Sequence, residues 1–456
     1  MMLAAELCCD MCGFKRNVCD NSRNVVTGSD TDATAVLDGF TVTSGNADVA
    51  YSDRGGGITS DSGAFTVRNC VFADNFADKG GAVSLWASTP TLVNCVWRGN
   101  TAHRGGGGIF MYRTDVAMTN CKFIANKSYL FGGAMNTSGS DSTLINCMFF
   151  GNTAEASGGA IFYDNYSFVT LVNCVLSGNR AVSSGGAIYH LKGSDLNLTN
   201  CTFVGNITDD QRGALMRVNG EFDNCIFWDN SDADGTGESS QIRFGDPVVD
   251  FSCIQGWTGA LGGLSNTGDD PVFADHDGQD NIVGTKDDDL RLSPRSPRID
   301  VGNNVPVPLW ITTDLDGLQR FVDISDAPDS GNGTPPIVDM GAYEHGVDCN
   351  GNGISDEAEI AAGTSEDCDN NTIPDECETD TDGDGFIDDC DRCEGFDDLS
   401  DADNDGVPDG CDDCPYEPAL AEPSEPGYEI TCDDAIDNDC DTLTGESDSD
   451  CLCQSR

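Results

Sequence analysis

"NCVWRGNTAHRGGGGIF", residues 94–110, places Asn-Cys ahead of an aromatic, then Gly-Asn, then a run of glycines before an apolar pair. A single copy would read as a turn beside a buried thiol. The phrase recurs, however, as "NCVFADNFADKGGAV" (69–83), "NCKFIANKSYLFGGAM" (120–135), "NCMFFGNTAEASGGAI" (146–161), "NCVLSGNRAVSSGGAI" (173–188) and "NCTFVGNITDDQRGAL" (200–215). Aligned on Cys70, Cys95, Cys121, Cys147, Cys174, Cys201, Cys225 and, as an eighth member, Cys253, the copies repeat every 24 to 28 residues. Asn precedes seven of the eight cysteines, a large apolar residue such as Phe72 or Trp97 follows two places on, and a second Asn (Asn75, Asn100, Asn126, Asn152, Asn179, Asn206, Asn230) comes three places after that. The stretch "DGFTVTSGNA" (38–47) reads as a degenerate earlier copy with Phe40 in the cysteine position.

A period of this length indicates a solenoid, propeller or array. Glycines and short alternating runs of β-branched and aromatic residues exclude helical repeats, and the unit is too short for a propeller blade. It suits one coil of a parallel β-helix: three short strands joined by turns, each strand pairing with its copy one coil on. Coils then stack about 4.8 Å apart, so every position lies over its own copy and like side chains form ladders. Cys and the aromatic two residues later share the inner face, where a free thiol packs as a small hydrophobe. Asn accepts the left-handed bend between strands, and Gly-Gly allows the corner before Val83, Ile109, Met135, Ile161, Ile188 and Leu215, a further inner stack. The cysteines of the array are therefore read as reduced core residues, and the asparagines as scaffold.

Composition bounds the rest. The chain has 456 residues and a net charge of −56. From Asp348 onward 37 acidic residues face two arginines, a balance that repels nucleic acid and attracts cations. No apolar run approaches the roughly 20 residues of a membrane span. The opening "MMLAAELCCDMCGFKRNVC" lacks a basic start and a long apolar stretch; we read it as a poorly defined, Cys-rich segment (1–23) with a truncated or misassigned start, because the remainder reads as exported.

After Cys253 the array gives way to "DPVFADHDGQDNIVGTKDDDLRLSPRSPRIDVGN", "TDLDGLQRF" and "VDMGAYEH". With the repeat, these phrases resemble the right-handed parallel β-helix proteins common among large secreted bacterial surface proteins, over roughly residues 24–345. The resemblance implies an all-β, right-handed parallel β-helix solenoid (24–255) finished by a closing segment (256–346), which the open strand edges of a last coil also require.

The tail carries the sharpest chemistry. "DCNGNGISDEAE" (348–359) matches D-x-[DN]-x-[DN]-G-x5-E, the spacing that wraps oxygens around one calcium ion. Its ligands would be Asp348, Asn350, Asn352, the Ile354 carbonyl, Asp356 and Glu359. Three further copies offer Asp367, Asp369, Asn371, Ile373, Asp375 and Glu378; Asp380, Asp382, Asp384, Phe386, Asp388 and Asp391; and Asp401, Asp403, Asp405, Val407, Asp409 and Asp412. The last two copies, with their cysteines, resemble thrombospondin type 3 repeats, which implies that calcium and disulfides replace a hydrophobic core over 347–415. The end, 416–456, reads as a weaker Cys/Asp metal-binding repeat. Two alternatives compete: a disordered acidic tail, and a zinc ribbon on Cys390, Cys393, Cys411 and Cys414. In-register Asp loops favour calcium, and an oxidising compartment favours disulfides.

No Ser-His-Asp or HExxH arrangement is present, and no catalytic residue is assigned. Lys79, Arg104, Arg180 and Arg212 lie near turns without an Asp ladder beside them, and Asp164 and Asp195 have nothing to pair them as a hydrolase dyad. Phe110, Phe162 and Tyr189 follow the inner stack by one residue, so they are expected to face outward, where rings can stack on sugars. The favoured expectation is an extracellular or cell-surface calcium-binding β-helix protein without catalysis, serving adhesion, glycan binding or surface structure, with an extracellular polysaccharide as partner. The alternatives are a polysaccharide lyase or hydrolase of the pectate-lyase-like kind, and a purely structural spacer. Fold alone does not choose among them.

Overall fold

The computed structural model describes residues 4–5, 24–47 and 53–411, apart from 192, 211, 286, 323, 325, 326, 347, 348, 351–355, 370, 372, 394, 403, 405 and 406. The segments expected at 1–23, apart from residues 4 and 5, and at 416–456 lie outside the described residues. The chain divides into two compact units, residues 1–345 and 346–456.

The first unit is a parallel β-solenoid. One coil runs from Ile109–Tyr112 in a first sheet, through Val116–Thr119 in a second, to Lys122–Ile124 in a third. A fourth, short strand follows at Lys127–Ser128, where three strands per coil were expected. The second and third sheets have nine strands each and the fourth has seven. Pairing is parallel and in register, as in Ile109↔Met135 and Trp97↔Phe123. Because register is kept, identical residues stack. The rings of Phe72, Trp97, Phe123 and Phe149 lie nearly parallel, with centroids 5.4, 4.6 and 4.7 Å apart.

The asparagines hold the two corners of this stack. Asn69, Asn94, Asn120, Asn146, Asn173, Asn200 and Asn224 all have φ between 49° and 55°, the left-handed conformation expected between the second and third sheets. The second set forms a buried ladder in which, from Asn100 to Asn230, both amide protons and both lone pairs are used. Asn152 Oδ1 accepts from the backbone N–H and the Nδ2 of Asn126, both at 3.0 Å, while its own Nδ2 donates to Phe123 O and Asn179 Oδ1, both at 2.9 Å. Gln241 ends the ladder, accepting from Asn230 Nδ2 at 2.7 Å and donating to Asn230 O. At the opposite corner Gly106 has φ +63°, and an added Cβ would lie 2.0 Å from Ile109 O, so the glycines there are sterically required.

Three expectations need correction. Cys253 is not in the cysteine ladder: it pairs with Ile226, Ser252 takes the position opposite Cys225, and the Cys253 side chain packs with Leu292, Ile299 and Met340 outside the solenoid core. Phe40 does occupy the position opposite Cys70, but it is 57% exposed rather than buried. The closing segment does more than end the stack. Trp257 and Leu261 pack on the core beyond the last coil, and the later residues fold back along the flank. There Leu290, Leu315 and Ala342 cover Val175 and Val204 of the third sheet, while Val307, Ile311 and Val338 cover Val172 of the second. Two corner asparagines anchor this return, Asn173 donating to Thr313 O and Asn224 to Asn303 O, each at 2.8 Å.

The second unit has almost no regular structure beyond a short helix at Asp356–Ala362. Disulfides Cys349–Cys377, Cys368–Cys390 and Cys393–Cys411 link successive acidic loops. The Cys393–Cys411 and Cys368–Cys390 bonds remove the thiolates a zinc ribbon needs. Such bonds form and persist in oxidising environments. No helix among the described residues is long and apolar enough to cross a membrane.

Candidate functional site

The acidic loops share one local construction. In each, the N–H of the second residue donates to the carboxylate of the ninth: Cys349 to Asp356, Cys368 to Asp375, Thr381 to Asp388 and Ala402 to Asp409, at 2.8–2.9 Å. The ninth carboxylate therefore braces the loop. Further turns follow from side chains accepting N–H groups two to five residues on, as Asp380 does from Gly383 at 2.7 Å and Gly385 at 3.0 Å. These two N–H groups hold the Asp380 carboxyl below its ordinary range.

Two groups of carboxylates converge to within 4.8 Å of one another and can hold a hard cation. Asp380, Asp382 and Asp384 form one, as the alternating spacing implies. Asp369, Glu378 and Asp389 form the other, and Asp389 belongs to the next loop, so the in-loop pattern could not reveal it. A third grouping, Cys349, Asp356 and Cys377, loses its sulfur donors to the disulfide. Among the other expected ligands, Asn350 Nδ2 bonds Glu359 Oε2 at 2.9 Å, Asn371 Nδ2 bonds Glu378 Oε1 at 2.8 Å, and Asn371 N–H bonds Asp367 Oδ1 at 3.0 Å. Asp391 accepts from Cys393 N and Asp401 from Asn404 N. Ile373 and Phe386 are exposed and Val407 half-buried, each offering only a backbone carbonyl. Asp348, Asn352, Ile354, Asp403, Asp405 and Asp412 lie outside the described residues.

The other candidate surface is the outer face of the first sheet. Phe110 and Phe162 do point away from the solenoid interior, yet each is only 5% exposed, a correction to their assignment as open sugar platforms. Lys79 Nζ sits 4.7 Å from the Phe110 ring centroid, and Phe131 packs 4.5 Å from Phe162. The chain between the fourth and first sheets supplies this cover. Tyr189, half-buried, stacks on Phe162 at 5.4 Å. Two residues further along their strands, Trp86 and Tyr112 are half-buried like Tyr189, with ring centroids 4.2 Å apart and planes tilted by 37°. The Arg54 guanidinium lies over Trp86 at 4.4 Å, with Nη1 3.8 Å from Asp61 Oδ1, and that of Arg113 over Tyr112 at 5.2 Å. The period-two rule places Trp86 and Tyr112 on the same face as Phe110, so the strand pattern already contained this signal.

The sequence around these residues is locally basic. Residues 53–113 carry six Lys or Arg (Arg54, Arg68, Lys79, Arg98, Arg104, Arg113) against four Asp, a local excess of two positive charges in a chain of net −56. Arg104 grips the buried Asp78 carboxylate through Nε, at 2.8 and 2.9 Å, and through Nη2. Burial, with the Arg104 and Arg54 guanidinia, lowers the Lys79 pKa below the usual lysine range. Elsewhere, Arg180 pairs with Asp209 at 2.5 Å, Arg212 bonds Ser184 at 3.2 Å, and Asp164 and Asp195 sit in different sheets.

Family comparison agrees with this architecture. A family described as "Right handed beta helix region" matches residues 14–203 and, in a second overlapping placement, 59–244, together just over half of the sequence. The chain belongs to this family over those coils. No curated protein sequence matches the chain.

Proposed function

We propose that this right-handed β-helix protein is a secreted or cell-surface, calcium-binding scaffold that binds an anionic polysaccharide without cleaving it. The observation that carries the reading is the cluster of Arg54, Trp86, Tyr112 and Arg113, set in a locally basic stretch of a strongly acidic chain. A guanidinium held over an aromatic ring can still direct N–H groups to a carboxylate or sulfate, and the ring restricts its motion. A net local charge of two suits a sparsely charged glycan. It does not suit duplex nucleic acid, which bears a charge every ~1.7 Å of axis. Calcium is assigned to the tail because converging carboxylates at alternate positions provide the oxygen set a hard cation takes. The disulfides favour an extracellular setting.

Lys79 favours a second reading, a lyase. An amine with a lowered pKa close to the Arg54 and Arg104 guanidinia is a candidate base for β-elimination. One experiment separates the readings. The full chain, with calcium, is run against acidic plant and algal polysaccharides by affinity electrophoresis while ultraviolet absorbance of unsaturated sugar ends is followed. Retention without absorbance supports the binding scaffold. A chelator-sensitive rise in absorbance replaces it with the lyase, and neither signal leaves a spacer.

A further inference from the structure

Seven thiols, Cys70, Cys95, Cys121, Cys147, Cys174, Cys201 and Cys225, run through the solenoid core, each fully buried and none in a disulfide. Their side chains share one conformation. Every Sγ donates to the carbonyl two residues earlier, at 3.1 Å for Cys70, 3.2 Å for Cys95 and Cys225, 3.3 Å for Cys147, Cys174 and Cys201, and 3.4 Å for Cys121. Neighbouring strands pair in register across all six steps. Equal rotamers on equal positions place successive sulfurs one coil apart, about 4.8 Å.

That spacing selects a chemistry. A disulfide needs Cβ atoms within about 3.5–4.5 Å of each other, so joining neighbours would pull two coils together. This accounts for free thiols in a chain that also carries disulfides. A tetrahedral ion such as zinc needs four donors converging on one point, and each gap offers two. Two metal–sulfur bonds of about 2.3 Å in line span about 4.6 Å, close to one coil.

We propose that the cysteine ladder is a binding site for soft, two-coordinate monovalent cations of the Cu(I) and Ag(I) class, held in every second gap between thiols so that each sulfur binds one cation at most and seven thiols hold three. The preference of thiolate for soft cations supplies the affinity. Each cation takes the place of one thiol proton and also bonds the neighbouring thiol sulfur, R–SH + R′–SH + M⁺ → R–S–M–S(H)–R′ + H⁺. Each filled gap is neutral, so no net charge enters a core that has nothing to offset it.

Silver(I) is the probe. The full chain is incubated with it below the melting transition, and separately refolded in its presence, since the thiols meet solvent only through local opening. Loosely held metal is then removed with a small thioether. Elemental analysis is expected to show two silver ions in Cys147→Val against three in the parent, and no change in Cys253→Val, which lies off the ladder. X-ray absorption of the parent is expected to show silver with two sulfur neighbours in line, and this reading stands even if Cys147→Val does not fold. Equal silver content in parent and Cys147→Val, no retained silver by either route, or a coordination shell of nitrogen, oxygen or three or more sulfurs would overturn the proposal.

Discussion

Replacing Asn152 by Ala tests whether hydrogen bonding in the buried asparagine ladder, rather than coil packing alone, holds the solenoid together. The Asn152 side chain makes four bonds at 2.9–3.0 Å inside a fully buried corner. Asn179 Oδ1 keeps a partner after the change, because the backbone N–H of residue 152 still donates to it at 3.0 Å. The Asn126 N–H and one proton of Asn126 Nδ2 do not. Two orphaned buried donors at about 1–3 kcal/mol each give an expected loss of about 4 kcal/mol. Asn120→Ala is the internal comparison. That residue is exposed, with one side-chain bond to Asn94 at 3.1 Å, and its φ of +54° makes the left-handed backbone the main cost, about 1 kcal/mol. Urea unfolding would be followed by far-ultraviolet circular dichroism and by the near-ultraviolet signal of the stacked rings around Trp97. Coincidence of the two is needed before either is read as a free energy, since repeat arrays can unfold in parts. A loss below about 1 kcal/mol for Asn152→Ala, or an equal loss for Asn120→Ala, would refute the reasoning.

Two further outcomes follow. Calcium titration of the full chain by calorimetry should show binding near 10⁻⁴–10⁻³ M, the range of extracellular modules, and Asp382→Asn should abolish one equivalent; unchanged stoichiometry would contradict the Asp380, Asp382 and Asp384 assignment. The closing segment should lose stability as pH rises. Burial pushes Asp314 up to about 6 and raises Asp339 and Glu344 beside Arg320. Folding therefore binds protons: the contribution is complete below the ordinary carboxylate range and is lost as pH climbs through about 6 and above. For Asp314 this amounts to about 3 kcal/mol. Asp314→Asn should flatten the melting temperature measured from pH 5 to pH 8, and an unaltered slope would count against it.

The solenoid was legible because its coil repeats residue types whose packing reasons are local. The corner asparagines, the inner aromatic and the glycine turn each announce their role at a fixed spacing, and register then follows from stacking. What failed depended on neighbours that no repeat unit contains. Cys253 kept the spacing but slipped by one residue where the array meets the closing segment, and Ser252 took its place. Phe110 and Phe162 had the right parity, yet parity says nothing of the chain that lies over a face. Trp86 and Tyr112 shared that parity and were overlooked because they do not recur in later coils, where Ser138 and Asp164 stand instead. In the tail, the 12-residue spacing located Asp380, Asp382 and Asp384, but it could not locate Asp389, which reaches a neighbouring loop's carboxylates through the disulfide-linked arrangement of the repeats.

The most direct test of the proposed function is the affinity of the folded chain for a uronate polysaccharide, compared between the parent and the Arg54→Ala, Arg113→Ala double variant at fixed calcium and ionic strength. Two charge-assisted contacts at about 1.5 kcal/mol each predict a loss of roughly a hundredfold, steeper at low salt. Equal affinity in parent and variant, with both shown to be folded, would contradict the assignment of this face.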